Sequence, residues 1–194
     1  AEESGASGQE SEYRWVIDPV DGTTNYAQGL PIFAVSIALE HHGEKVLGIV
    51  YEPVTDEMFS AIKGQGSYRN GKRLQVGNKS ELIECVLATG FPYDIATHPV
   101  NNINYFTSLA MKTRAIRRMG SAAYDLACVA SGGFDGFWEM SLSPWDVAAS
   151  ILMVTEAGGV VLPFRDDRKI SIVAANPVIS QKILAALREV DRLA

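Results

Sequence analysis

Cysteine is scarce: Cys85 and Cys128 are the only two in 194 residues. Two thiols so far apart make neither a disulfide scaffold nor a cysteine-type zinc site, and they read as reduced, buried side chains of a cytoplasmic protein. Basic charge is short as well. Lysine and arginine total 17 against 23 aspartates and glutamates, a formal net charge of −6, so no broad basic field is available for nucleic acid and no such partner is expected. An anionic ligand would need a local metal ion or a helix end instead. The chain also lacks an apolar run long enough to cross a bilayer, any segment that reads as a secretory leader, and any internal repeat. Membrane association is therefore not expected. Apolar residues are plentiful, 47% of the total, enough for a substantial core in one domain or two small ones.

The most chemically loaded stretch follows an apolar one. Trp15-Val-Ile-Asp18-Pro-Val-Asp21-Gly-Thr-Thr24-Asn25 begins as a strand of aromatic and β-branched residues, expected to be buried, and Pro19 argues against regular pairing beyond Asp18. Two carboxylates three residues apart around a proline can converge, at a cost unless a cation lies between them. Mg²⁺ suits such a pair, being hard, oxygen-seeking and commonly held by one or two carboxylates with water and phosphate. Gly22 tolerates unusual dihedrals, Thr23, Thr24 and Asn25 offer hydroxyl and amide caps, and a helix starting there would aim N–H groups at an anion beside the metal. Aspartate followed by glycine after a strand is also ordinary turn composition, and a lone Asp-x-x-Asp-Gly does not separate the two readings.

Further along, three apolar or alternating runs between residues 33 and 62, joined by short turns, read as antiparallel strands. Asn70-Gly71 marks a hairpin at the sheet edge. His41 and His42 are neighbours on a strand and are expected on opposite faces, which argues against a shared metal. Residues 85–90 read as a buried strand, and 101–112 as a helix whose Ile103, Phe106, Leu109 and Ala110 face the core. Strands at 113–119, 134–140, 160–162 and 170–174 then alternate with helices at 120–130, 143–157 and 176–190, the pattern of helices on a mixed sheet. The fold class is α+β or α/β, with an antiparallel-sheet half over 1–111 and a mixed-sheet α/β half over 112–194. In the last half, Ser143 fits a helix cap, Pro144 the first helical position, and Asp146 a capping acid that needs no metal. Gly120-Ser121-Ala122 fits either a packing corner or a binding turn, and Glu139 is an acid set among aromatics.

Two strings are more specific than their parts. Trp-Val-Ile-Asp-Pro-Val-Asp-Gly-Thr-Thr-Asn-Tyr at 15–26 and Pro-Trp-Asp-Val-Ala with Thr-Glu-Ala-Gly-Gly at 144–159 resemble the two signatures of the inositol monophosphatase family. Members are Mg²⁺-dependent, commonly lithium-sensitive sugar-phosphate phosphatases. Glu2-Glu3-Ser4 and Ile172-Val-Ala-Ala-Asn-Pro177 extend the likeness over nearly the whole chain. The resemblance implies a layered αβαβα sandwich, often a homodimer, with several dozen residues ahead of Glu2 that form helices and part of an active-site loop. This sequence is expected to lack that segment, which keeps an inactive fragment among the readings.

By the same resemblance, Glu2, Asp18 and the Val20 carbonyl hold one Mg²⁺, Asp18, Asp21 and Asp146 hold a second, and a third, weaker ion lies near Glu2. A water oriented by Glu2 and Thr24 attacks phosphorus without a covalent intermediate. The backbone of Gly22, Thr23 and Thr24 receives phosphate oxygens, while Asp21, Gly120, Ser121, Ala122, Glu139 and Asp146 face the polyol. The 163–169 loop, shorter than the family's, is expected to be remote from these ligands. Thr23-Thr24-Asn25 and Glu139 favour myo-inositol 1-phosphate over 3′-phosphoadenosine 5′-phosphate. Fructose 1,6-bisphosphate and histidinol phosphate stay open, as does a regulatory role with RNA polymerase or RNA that some bacterial members play apart from catalysis.

Overall fold

A computed structural model of the protein describes residues 11–193. Short turns dictate the first layer. β1 (Tyr13–Asp21), β2 (Ala34–His41), β3 (Glu44–Glu52), β4 (Glu57–Ile62), β5 (Gly66–Arg69) and β6 (Lys72–Arg73) pair antiparallel in sequence order. The β2–β3 and β5–β6 turns have positive φ at both central residues, 50° and 82° at His42 and Gly43, 47° and 78° at Asn70 and Gly71. Those dihedrals match the right-handed twist of the flanking strands, which is why hairpins favour them. Helix α1 (Thr23–Gln28) interrupts the path between β1 and β2.

The second sheet has the order β10-β11-β9-β7-β8. β7 (Val86–Thr89) runs parallel to β8 (Ala115–Arg117) and β9 (Gly136–Leu142), while β11 (Ile170–Ala175) pairs antiparallel with β9 and β10 (Val160–Pro163). Helices α3 (Ala122–Ala130) and α4 (Pro144–Glu156) fill the space between the sheets, where Leu126, Ala149 and Met153 meet Val50 and Phe59 on one side and Phe137 and Ala174 on the other. On the far face, α2 (Ile103–Ala110) and α5 (Pro177–Leu193) cover Leu87, Trp138 and Val173 with Leu109, Ile179, Ile183 and Leu187. Adjacent residues Phe137 and Trp138, or Val173 and Ala174, thus enter different cores. A sheet covered on both faces needs such continuous apolar runs. The mixed α/β architecture of an antiparallel and a mixed sheet is the one expected.

Several local expectations need correction. β1 is not buried: it is the edge strand, and Tyr13, Trp15 and Ile17 are exposed while Val16 and Asp18 are buried. Its pairing does not end at Asp18 but resumes at Asp21 opposite Ala34 after an irregularity. In α2, Ile103 and Ala110 are exposed and the buried pair is Tyr105 and Leu109, four apart on one face as the helical period requires. β8 occupies only the middle of 113–119. The change of sheet falls between β6 and β7. Among the described residues no helix is long and apolar enough to cross a membrane.

Candidate active site

Residues 18 and 21 stand an odd number apart, so on a regular strand their side chains would face opposite ways. The register break resolves this. Asp18 pairs with Ser36 and Asp21 with Ala34, and the bulged Pro19-Val20 step between them re-aims the strand end. The Val20 N–H donates to Asp18 Oδ1 at 3.0 Å. Asp18, Asp21 and Asp146 consequently each offer an oxygen within 4.8 Å of the others.

Gly22 follows with φ 92°, and a Cβ there would stand 3.0 Å from the Gly120 carbonyl oxygen, so only glycine fits between the end of β1 and the turn that leads into α3. Asn25, expected as a cap, has a different task. Buried, it donates through Nδ2 to the carbonyls of Ile32 and Met119 at 2.8 and 2.7 Å, tying α1 to the loop that leads into α3. That loop in turn holds Asp21. The Ser121 hydroxyl and the Ala123 N–H both donate to Asp21 Oδ2 at 2.7 Å. Asp146 accepts the Ser143 N–H at 2.7 Å, the carboxylate half of a capping box, so the capping and metal readings of this residue coexist.

The floor comes from the second sheet. Glu139 on β9 lies directly over Gly90, where a Cβ would sit 2.2 Å from Glu139 Oε1. Beneath it is a buried polar network. Trp138 Nε1 donates to Asn102 Oδ1 at 2.7 Å, Asn102 Nδ2 to Thr89 Oγ1 at 3.0 Å, and Thr89 Oγ1 to the Trp138 carbonyl at 2.5 Å. Fully satisfied networks of this kind fix strand ends against each other.

Electrostatically the cleft is crowded with acid. Burial pushes the Asp21 carboxyl up to about 7 against the pull of its Ser121 and Ala123 hydrogen bonds, with Asp18 and Asp146 adding repulsion. Burial likewise pushes Glu139 up to about 8, helped by Asp21 and Asp146. Asp125, on α3, is raised well above the usual carboxylate range by burial and then by Glu139 and Asp21, and its Oδ1 has no hydrogen-bond partner among the described residues. Desolvated acids in contact demand a proton or a cation.

These groups surround one cavity of about 160 Å³, the scale of a small ester. Its walls include Asp18, Val20, Asp21, Gly22, Thr23 and Thr24 from the first signature region, Gly120, Ser121 and Ala122 from the α3 turn, and Glu139 and Asp146. Glu2 lies outside the described residues. Arg118 and Lys169 also line the cavity and were not anticipated. Lys169 corrects the expectation that the 163–169 loop is remote: Ile170 pairs with Leu142, which brings its neighbour beside the Ser141–Ser143 rim. No local pattern announces an isolated lysine of that kind. The three clustered aspartates, all hard oxygen donors, suit a Mg²⁺-like ion.

The histidine expectation also fails. His42 is a turn residue of positive φ, not a strand residue. Both imidazoles therefore reach the same side, each with Nε2 3.8 Å from Glu12 Oε2.

Comparison with known proteins gives one answer. The sequence model of the inositol monophosphatase family matches residues 1–192. The chain is 42% identical over 193 residues to the inositol-1-monophosphatase of Mesorhizobium japonicum, covering 97% of this chain and 73% of that protein. It is 44% identical, again over 193 residues, to the Nus factor SuhB of Escherichia coli strain K12, with coverage of 97% and 72%. Among solved structures, the inositol monophosphatase from Anabaena (Nostoc) sp. PCC 7120 superposes with a TM-score of 0.91 at 43% identity, covering 96% of this chain and 76% of that one.

Proposed function

Because the chain belongs to the inositol monophosphatase family, and is a phosphoric monoester hydrolase, we propose that it hydrolyses myo-inositol 1-phosphate to inositol and phosphate using Mg²⁺. The observation that carries this reading is the convergence of Asp18, Asp21 and Asp146 beside a small cavity. Those three carboxylates, with Glu2 and the Val20 carbonyl, would hold two or three ions. Bound there, such ions would supply neutralisation of the phosphate oxygens and activation of water.

The chain's own groups do the positioning. Glu2 and Thr24 orient the water in line with the scissile bond, and the N–H groups of Gly22, Thr23 and Thr24 receive phosphate oxygens at the start of α1. Glu139, Asp21 and the Gly120-Ser121-Ala122 turn hydrogen-bond the polyol hydroxyls. The halves before and after residue 111 both contribute to each side of the site: Asp146 joins Asp18 and Asp21 at the metal, and Asp21 joins Glu139 and the Gly120-Ser121-Ala122 turn at the polyol. The enzyme acts in the cytoplasm as a homodimer and is inhibited by lithium.

The test is Mg²⁺-dependent phosphate release by the full-length chain from myo-inositol 1-phosphate, fructose 1,6-bisphosphate, histidinol phosphate and 3′-phosphoadenosine 5′-phosphate, with and without lithium. Preference for the inositol ester, cut roughly 100-fold or more by Asp18→Asn or Asp146→Asn, supports the reading. Metal-dependent release from none of the four overturns it. A second reading is favoured by the relatives named Nus factor SuhB: a regulatory partnership with RNA polymerase that does not use the cleft. RNA polymerase binding that survives Asp18→Asn supports that role.

A further inference from the structure

The strand β1 carries chemistry at both ends. At its start, far from the aspartates, Glu12, His41 and His42 bring one carboxylate oxygen and two imidazole nitrogens within 4.8 Å of one another. From the axial rise of a strand, the six residues from Glu12 to Asp18 separate the two clusters by roughly 20 Å. The geometry points to a second metal site here, for a late first-row divalent ion of the zinc type, distinct in place and in ligand chemistry from the aspartate cluster.

Three features build the site. The register of β1 against β2 sets Tyr13 opposite His41, and the two rings stack with centroids 4.4 Å apart and planes 18° from parallel. His42 occupies the first position of the β2–β3 turn at φ 50°, a conformation in which histidine is enriched over most residues, and this brings its ring to 4.3 Å from that of His41. The His42 N–H donates to the Glu12 carbonyl at 2.8 Å, so the turn is fastened to the residue that supplies the carboxylate. Glu12 Oε2 then stands 3.8 Å from Nε2 of both histidines.

Tetrahedral zinc with bonds near 2.0–2.1 Å holds its ligand atoms about 3.4 Å apart. The side chains must therefore close by no more than about 1.5 Å, which exposed groups do by small rotations. Two imidazoles and a carboxylate suit Zn²⁺, Ni²⁺ or Cu²⁺, whereas Mg²⁺ prefers an all-oxygen shell. The clusters at the two ends of β1 thus sort ions by hardness. Three protein ligands leave one zinc position for water, and the bound ion clamps the edge strand to the β2–β3 turn.

Zn²⁺ binding is measured by calorimetry on the full-length chain in saturating Mg²⁺, alongside long-range nitrogen NMR of the histidine rings. The variants are His42→Gly, whose turn dihedral favours glycine, and Glu12→Gln, both exposed changes. One Zn²⁺ is expected to shift the Nε2 signals of His41 and His42 together. Each variant should weaken that binding event by about 100-fold or more, with the melting temperature in chelator and the Mg²⁺-dependent phosphate release unchanged. Unshifted ring nitrogens, or equal Zn²⁺ affinity in wild type and His42→Gly, overturns the assignment.

Discussion

Replacing Asp21 by Asn should stabilise the metal-free protein, by an amount that depends on pH. The side chain is isosteric, and its amide oxygen can still accept from the Ser121 hydroxyl and the Ala123 N–H. What changes is the charge. The Asp21 carboxyl is pushed from 3.8 up to about 7, chiefly by burial, so between those values the folded protein retains a proton that the unfolded chain has lost. Stability contributed by that proton is fully present below about pH 4 and is lost as pH rises to about 7. At ~1.4 kcal/mol for each tenfold change in proton affinity, the loss totals about 4 kcal/mol. The Asn variant escapes it. In a domain of this size 1 kcal/mol moves the melting temperature by roughly 2–4 °C, so the variant in chelator should melt on the order of 10 °C above wild type at pH 8 and alongside it at pH 4. Scanning calorimetry across that range, with and without Mg²⁺, reads the effect directly. Saturating Mg²⁺ should close the gap by stabilising wild type alone. A variant that is less stable than wild type at pH 8, or a gap that does not widen with pH, would refute the reasoning.

Other consequences follow from the same geometry. Because Mg²⁺ must displace the Asp21 proton, its apparent affinity should fall by about tenfold per unit as pH drops below about 7, measurable by titration calorimetry; pH-independent binding between 5 and 7 would contradict the assigned cluster. Asn102→Ala strands the buried Trp138 N–H and puts Ala at φ 76°, costing roughly 3 kcal/mol, a loss visible in urea unfolding. Gly90→Ala pushes Glu139 off the cleft floor. It should raise KM for the inositol ester by about tenfold or more with Mg²⁺ affinity unchanged, which steady-state kinetics and metal titration separate.

The two signature strings were legible because they concentrate unusual residues within a few positions. Asp18, Pro19, Asp21 and Gly22 announce an interrupted strand bearing acids, and Ser143, Pro144 and Asp146 announce a capped helix start. Both describe local backbone chemistry, and both are found in place. Less legible were residues whose meaning depends on a distant partner. Asn25 looked like a cap, but its amide donates to the Met119 carbonyl, 94 residues further along the chain. Lys169 looked like loop charge until the β9–β11 pairing set it at the cavity. The exposure of Trp15 and Ile17 was hidden because a β-branched run has the same composition in an edge strand as in a central one. His41 and His42 were misjudged for a narrower reason: strand alternation was applied to a residue that belongs to the turn.

By itself the sequence determined the elements and the chemistry of the acids, because turn residues, helix caps and apolar periodicity act over short distances along the chain. The tertiary structure alone decided which of those acids meet, and at what proton affinity. Asp21 and Asp146 are separated by most of the chain, and only the packing of α4 against the first sheet, with the bulge after Asp18, puts their oxygens in one desolvated cleft. Burial and convergence are properties of that packing, and they turn ordinary carboxylates into a site that requires a proton or a cation.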